Sequence, residues 1–234
     1  MEQPRVGVII VAGGSGKRMG GALPKQFSLV GGQPILARTI NAFRKALPAS
    51  RIVVVLPAEY IDFWKNLSAR FEVAKHSVVE GGSERFYSVK NGIEALSDAV
   101  DLIAVQDGVR PFASKELILR TVECATKNGS AIPVVKAVDS YRVVEDEDSH
   151  IIDRTPLRIV QTPQVFAAPT LRAAYDTDFR SEFTDDASVV EYLGEKVSLC
   201  DGEYQNIKIT TPNDIALANA IIAMKEEEKS CIIK

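Results

Sequence analysis

The sequence predicts an α/β fold: one domain over residues 1–234, with a β-arm inserted at about 136–160. Three observations predict it. Short apolar runs at residues 6–12, 52–56 and 102–105 read as strands, the first so uniformly apolar that both its faces must be covered. Between the first two, Ile35, Leu36, Ile40, Phe43 and Leu47 recur at helical spacing, which makes a β-α-β unit. Residues 140–152 break this pattern. Two short strand-like runs there flank the acidic turn Glu145-Asp146-Glu147-Asp148-Ser149, a hairpin too polar to cross a buried sheet, and it should protrude. No internal repeat or low-complexity linker divides the chain.

The first strand runs into a turn rich in Gly13, Gly14, Gly16, Gly20 and Gly21, where the backbone can bend sharply and approach a ligand closely. Arg18 and Lys25 bring permanent positive charge to the same loop, and Pro24 stiffens the approach to Lys25. Together these features describe a cradle for a phosphate chain. Two other phosphate loops are excluded. A P-loop needs Ser or Thr after its lysine, but Lys17 is followed by Arg18; the dinucleotide fingerprint would put its third glycine at Met19. An ordinary turn with scattered surface charge would not gather Arg18 and Lys25 in one loop.

Tyr60, Trp64, Leu67 and Phe71 predict a second helix whose aromatic stripe is core rather than a base-stacking platform, and residues 73–79 a further strand. Gly81-Gly82 then opens a helix running to about Leu96, with Ser83 placed to cap it. After the strand at 102–105 comes Gln106-Asp107-Gly108-Val109-Arg110-Pro111, an acidic residue just beyond a strand's carboxyl end, where open α/β sheets bind ligands. Ser114 and Gly129 bracket another helix, followed by a strand at 131–135. Asp185 and Asp186 begin a helix ended by Gly194, and stabilising its N-terminus accounts for the two acids about as well as a catalytic role would. Lys208 sits in a strand-like stretch pointing opposite to Ile207 and Ile209, and Thr211-Pro212 opens the last helix. The end of the chain, at 231–234, looks superficially like a prenylation box but reads as a frayed helix tail.

Composition narrows the class. A formal charge of -3 gives no general attraction for nucleic acid or an anionic membrane, so the loop cations are read locally, as partners of small anions. Cys124, Cys200 and Cys231 have neither metal-type spacing nor a disulfide framework, which fits a reducing cytoplasm. His76 and His150 should be exposed and lack metal-ligand partners at convincing spacing. The N-terminus has no signal-peptide order, and charges interrupt every candidate membrane span.

Gly13-Gly14-Ser15-Gly16-Lys17-Arg18-Met19-Gly20 with Pro24-Lys25-Gln26-Phe27 resembles the opening signature of the sugar-phosphate nucleotidyltransferases, in the version of their cytidylyltransferase branch. Gly81-Gly82 through Arg85 to Ser88, Asp107 with Arg110-Pro111, Asp139-Ser140, Asp153-Arg154, Thr162-Pro163-Gln164 and Asn206-Ile207-Lys208 follow in order, most similar to the family that acts on 2-C-methyl-D-erythritol 4-phosphate.

The resemblance implies a Rossmann-like nucleotidyltransferase fold, a mostly parallel mixed sheet flanked by helices, whose β-arm interlocks two subunits into a homodimer. It implies CTP bound by Ala12, Gly13, Gly14 and Gly16 at the phosphates, by Gly81, Gly82, Ser83 and Ser88 at the base, and by Asp107 and Gly108 near ribose and phosphates. A polyol phosphate acceptor would meet Arg110, Ser140, Thr184, Arg154 and Lys208, with Arg18, Lys25, Arg154 and Lys208 carrying catalysis. Ser140 stands where threonine is more familiar, and Gln106, Gly108 and Val109 depart from the family's His-Asp-Ala-Ala-Arg-Pro. Magnesium is expected through the CTP phosphates, with no metal-ligating cage of protein residues.

Two alternatives stay open. A ribitol-5-phosphate cytidylyltransferase shares several of these motifs, although Ile152-Asp153-Arg154-Thr155 favours the methylerythritol branch. A nucleotide-binding subunit without chemistry would not need Arg18, Lys25, Arg154 and Lys208 intact.

Overall fold

The computed structural model describes residues 4–13, 23–97 and 99–232, with side chains as far as 227. Gly14, Gly16 and Arg18 of the expected cradle therefore lie outside the described residues. In chain order, β1 (Val6–Val11) precedes a 3-10 turn at Lys25–Phe27, then β2 (Leu29–Val30), β3 (Gln33–Pro34), α1 (Ile35–Ala46), β4 (Arg51–Leu56) and α2 (Ala58–Ser68). β5 (Ser77–Glu80), α3 (Arg85–Ala95), β6 (Leu102–Asp107), α4 (Lys115–Asn128) and β7 (Ser130–Lys136) follow. β8 (Tyr141–Glu145) and β9 (Asp148–Ile152) form the arm, and β10 (Arg158–Val160), β11 (Gln164–Ala167), α5 (Ala168–Ala174), α6 (Asp186–Tyr192), β12 (Leu199–Asp201) and α7 (Pro212–Ile232) complete the chain.

The sheet orders as β10-β7-β11-β6-β1-β4-β5, with β12 alongside β7. β1 runs parallel to β4 and β6, β5 parallel to β4, and β11 antiparallel to both β6 and β7. This is the expected mixed, mostly parallel sheet. From β1 the chain winds outward through β4 and β5, then returns to β1's other side with β6. The order reverses between β1 and β6, and a crevice opens at their carboxyl ends. Val11 and Asp107 are register partners there.

Side-chain alternation divides the core. Val8 and Ile10 of β1 face α1 and α4, packing with Leu36, Ile40, Phe43, Leu117 and Ile118. Ile9 faces the other layer, with Phe86, Val89 and Ile93 of α3, Leu171 of α5 and Val190 of α6. Each such fully buried side chain contributes about 1.5–3 kcal/mol. The aligned cores fix the strand ends that build the crevice.

Local signals account for the ends of α4 and the start of α6. Ser114 Oγ accepts from the Leu117 N–H at 2.9 Å, and Gly129 takes φ of +82° past the end of α4. Asp185 caps α6 in a reciprocal box with Ser188. Ser83 does not cap α3: the N-cap position is Glu84, without a side-chain bond. α2 ends before Phe71, and of its residues only Trp64 is fully buried. Its Nε1–H donates to His76 Nε2 at 3.0 Å, so His76 is half-buried rather than exposed.

Tertiary contacts correct three further expectations. β5 begins at Ser77, because Asn41 of α1 holds the preceding backbone as a loop, bonding Glu72 O at 2.7 Å and the Ala74 N–H at 2.8 Å. Residues 206–210 join no strand, although alternation survives: Ile209 is buried, and its N–H donates to Val109 O at 2.9 Å. In the arm, Glu145 pairs with Asp148, so the acidic turn tightens around Asp146, at φ of +51°, and Glu147. Among the described residues, β8 and β9 pair only with each other. Among the described residues, no helix is long and apolar enough to cross a membrane.

Gly92 fixes how closely α3 approaches the sheet, since a Cβ there would lie 2.5 Å from Ile9 Cγ2 and 3.2 Å from Val55 Cγ2. At an exposed helical site, Gly→Ala gains about 1 kcal/mol. Here overpacking, at about 1–3 kcal/mol, should reverse the sign. Urea denaturation of Gly92→Ala should show a lowered midpoint; a raised one would contradict this packing.

Candidate active site

Two glycine turns and the end of β1 form one wall of the crevice. Ala12 N–H donates to Val55 O at 2.9 Å, continuing the β1 ladder, and Gly81 N–H donates to Leu56 O at 2.8 Å. Gly82 N–H donates to Ser88 Oγ at 3.1 Å, and that hydroxyl donates to Glu84 O at 3.2 Å, so Ser88 braces the turn against α3. A Cβ on Gly81 would lie 2.9 Å from Ser88 Oγ, and one on Gly108 2.9 Å from Ala12 Cβ. Only glycine lets these segments meet so closely. Gln26, buried below, donates Nε2–H to Ala12 O at 2.7 Å. The result is a cleft of about 410 Å³, lined on this side by Ala12, Gly13, Lys25, Gly82, Ser83 and Ser88.

Its floor is a cluster of charges. Asp107, at the end of β6, directs Oδ2 to Lys208 Nζ at 3.1 Å and Arg110 Nε at 3.2 Å, and Oδ1 towards Arg85 Nε at 3.9 Å. Its backbone N–H donates to Thr162 Oγ1 at 3.1 Å. Burial alone would raise this carboxyl's pKa, but Lys208, Arg85 and Arg110 outweigh it and hold the group below the usual carboxylate range. Arg110 also donates Nη1–H to Asn206 O at 2.8 Å, tying the Asp107 turn to the segment that carries Lys208.

Arg85, first residue of α3, is gripped by a buried partner. Its Nη1 and Nη2 donate to Asp186 Oδ1 and Oδ2 at 2.9 and 2.7 Å, and Tyr175 O–H donates to Oδ1 at 2.7 Å. Burial would lower the guanidinium's pKa, but Asp186 more than offsets that and raises it. Burial and the same carboxylate push the Tyr175 phenol well up. Both groups keep one charge state across ordinary pH.

A second chamber, of about 300 Å³, adjoins the first. Arg110, Thr162, Gln164, Thr184 and Asp185 line it, and it shares Arg85, Asp107 and Lys208 with the first cleft. Two compartments thus meet across a wall bearing three cations and one carboxylate when Arg110 is included. Two anionic ligands brought to that wall would lose much of their mutual repulsion.

The family model for IspD, 2-C-methyl-D-erythritol 4-phosphate cytidylyltransferase, matches residues 6–224. The chain belongs to the IspD family. A 2-C-methyl-D-erythritol 4-phosphate cytidylyltransferase of Bacteroides thetaiotaomicron is 49% identical over 216 residues, covering 92% of this chain and 98% of the relative. One from Geobacter metallireducens is 42% identical over 228 residues, covering 93% and 97%. The solved 4-diphosphocytidyl-2C-methyl-D-erythritol synthase of Anaerococcus prevotii superposes with a TM-score of 0.80 at 31% identity, covering 95% of this chain and all of that one (100%). The fold is therefore the Rossmann-like one of this nucleotidyltransferase family.

Within this IspD-family chain, the expected site residues fall into place unevenly. Ala12, Gly13, Gly82, Ser83, Ser88 and Asp107 line the first cleft, with Gly81 and Gly108 in the turns beneath it. Arg110, Thr184 and Lys208 line the second chamber, and Lys208 reaches both. Ser140 and Arg154 line neither: both are exposed at the ends of the arm, where Arg154 Nη1–H donates to Val138 O. Sequence reasoning gave Tyr175 no role, quoted Arg85 only within a motif, and left Asp186 between a helix-end acid and a catalytic one. The available signal was a cation in the first turn of α3, which the helix dipole disfavours. For Asp186 the acid opening a helix was as good a reading as catalysis, and neither pointed to Arg85.

The Asp107 cluster should be visible in acid unfolding. A carboxyl whose folded pKa is depressed adds stability above its unfolded value, about 3.9, and that stability is lost as pH falls through the folded value. Asp107→Asn should cost about 3 kcal/mol at pH 7, because three cations lose a shared counter-ion. Urea titrations from neutral pH downwards should show this deficit shrinking below about pH 4; a constant deficit would mean that the charge is not what stabilises the cluster.

Proposed function

We propose that this protein transfers the cytidylyl group of CTP to 2-C-methyl-D-erythritol 4-phosphate, giving 4-diphosphocytidyl-2-C-methyl-D-erythritol and pyrophosphate. The observation that carries the reading is the pair of chambers joined at Arg85, Asp107 and Lys208, in a chain of the IspD family. CTP would occupy the glycine-walled cleft and the polyol phosphate the second chamber. Family membership favours this acceptor over ribitol 5-phosphate, since the relatives carry the methylerythritol name over nearly their whole length.

The acceptor brings its own nucleophile, a phosphate oxygen, so no serine, cysteine or histidine has to be activated. What the reaction needs is in-line placement of that oxygen on the α-phosphorus and compensation of the charge that grows there. Lys25, set in the cleft wall, and Arg18, in the same loop of the sequence, would stabilise that charge. Lys208, between the chambers, would hold the acceptor phosphate. Of the carboxylates near the triphosphate that would carry magnesium, the cleft offers Glu84 and Asp107, and Asp107 already faces cations with both oxygens. Most of the magnesium ligands would therefore be phosphate oxygens, and when bound the ion neutralises phosphate charge.

We extend the proposal to a cytoplasmic homodimer in which the arm supplies Ser140 and Arg154 to the neighbouring site. Val144 and Ile151 on the arm are 71% and 66% exposed, apolar surface that an isolated hairpin cannot cover. A twofold pair of arms would be self-complementary.

Two measurements test these readings. Purified protein with CTP and magnesium should release pyrophosphate with methylerythritol phosphate and not with ribitol 5-phosphate, and should prefer CTP to UTP by a factor of at least about a hundred in kcat/KM. Equal activity on both polyol phosphates would remove the acceptor assignment. Mixing inactive Arg154→Ala with inactive Lys25→Ala protein should restore about a quarter of wild-type activity, since half the dimers are mixed and each has one intact site. No recovery after verified exchange would place Arg154 in its own subunit's site.

A further inference from the structure

The Arg85–Asp186 pair stands apart from the rest of the charge cluster. Asp186 has no exposed surface and lines neither chamber among the described residues. Fold stability alone is a poor reason for the pair. Apolar residues of similar volume usually replace a buried ion pair without loss, and a cation at the first residue of α3 opposes the helix dipole.

Its geometry has a different logic. Both terminal nitrogens of Arg85 are committed to Asp186, which fixes the guanidinium plane and turns Nε towards Asp107 Oδ1, 3.9 Å away. Asp107 then keeps Oδ2 for Lys208 and Arg110. Asp186 is itself held: Tyr175 bonds Oδ1, and Gln164 accepts from the Ala187 N–H at 2.9 Å and donates to Asp185 Oδ2 at 2.8 Å. The Phe86 ring stacks on Tyr175 at 4.8 Å and on Phe183 at 5.7 Å, clamping the start of α3 to both ends of the connection that leads from α5 into α6. The turn that lines the nucleotide cleft and the turn that lines the acceptor chamber are thereby one rigid piece.

We propose that Asp186 and Arg85 form a positioning pair that sets the separation of the two chambers. Asp186 touches neither substrate; it acts through Arg85, which holds Asp107, and through Asp107 orients Lys208. The two phosphates reach in-line distance only with this pair intact. The inference rests on the cytidylyl-transfer reading above, and wild-type turnover in the same assay separates the two: no wild-type turnover sinks that reading, whatever the variants do.

The test is the double variant Arg85→Gln/Asp186→Asn, which removes both charges but keeps planar hydrogen-bonding groups and an acceptor for Tyr175. Pyrophosphate release, CTP binding by calorimetry and thermal unfolding would be measured together. The expected result is a Tm near that of wild type, a CTP Kd within about threefold, and kcat lowered about a hundredfold, the size of effect that an ångström of misplacement produces. Arg85→Lys, which keeps charge and fold but cannot bridge both Asp186 oxygens and face Asp107, should lower kcat at least about tenfold with Tm retained. This second variant decides the matter if the double variant does not fold. Wild-type kcat in folded protein of either variant would overturn the proposal by making the pair purely structural. A loss of CTP affinity as large as the loss of kcat would overturn it by making Arg85 a direct nucleotide contact.

Discussion

Asp107 draws three cations into a space where two anions are to meet, and the rest of the site is arranged around that attraction. Lys208, Arg110 and Arg85 come from three separate stretches of chain, and without a shared carboxylate they would repel one another in a partly buried crevice. One charge from β6 thus assembles a wall that belongs to both chambers. The wall keeps a surplus of positive charge, which is what a triphosphate and a phosphate monoester would require of it.

The sheet makes this arrangement possible. Parallel strands β1 and β6 end side by side at the point where strand order reverses, so Val11 and Asp107 lie in register and the backbone beyond each is released into the same crevice. Glycine at 81 and 108 lets the loops close in without steric conflict, and the two apolar layers hold the strand ends still. Precision here comes from packing far below the site. The active groups themselves are few and mostly long, and they gain their order from partners rather than from stiffness.

Chemistry of this kind asks little of any single side chain. A phosphate oxygen is already nucleophilic and pyrophosphate is already a leaving group, so the protein's contribution is charge and placement. That division explains why the site is rich in arginine, lysine and aspartate with a scaffold of glutamine, threonine and asparagine amides and hydroxyls around them.

By itself the sequence determined the fold class, the glycine turns, the capped ends of α4 and α6, and the stretches that hold Asp107, Arg110, Thr184 and Lys208. Each of these is written in local physics: periodicity, capping groups, glycine at a close approach. The start of β5 was not legible, because Asn41, some thirty residues earlier in α1, decides it by bonding the backbone of 72 and 74. The segment at 206–210 kept its alternation but not its strand: the Ile209 N–H bonds Val109 O in the loop after β6, and the segment pairs with none of the sheet's strands. Above all, Arg85 and Asp186 are 101 positions apart, and nothing local to either points to the other. Only the folded chain, by stacking the start of α3 against the connection into α6, turned two helix-opening residues into one bidentate ion pair.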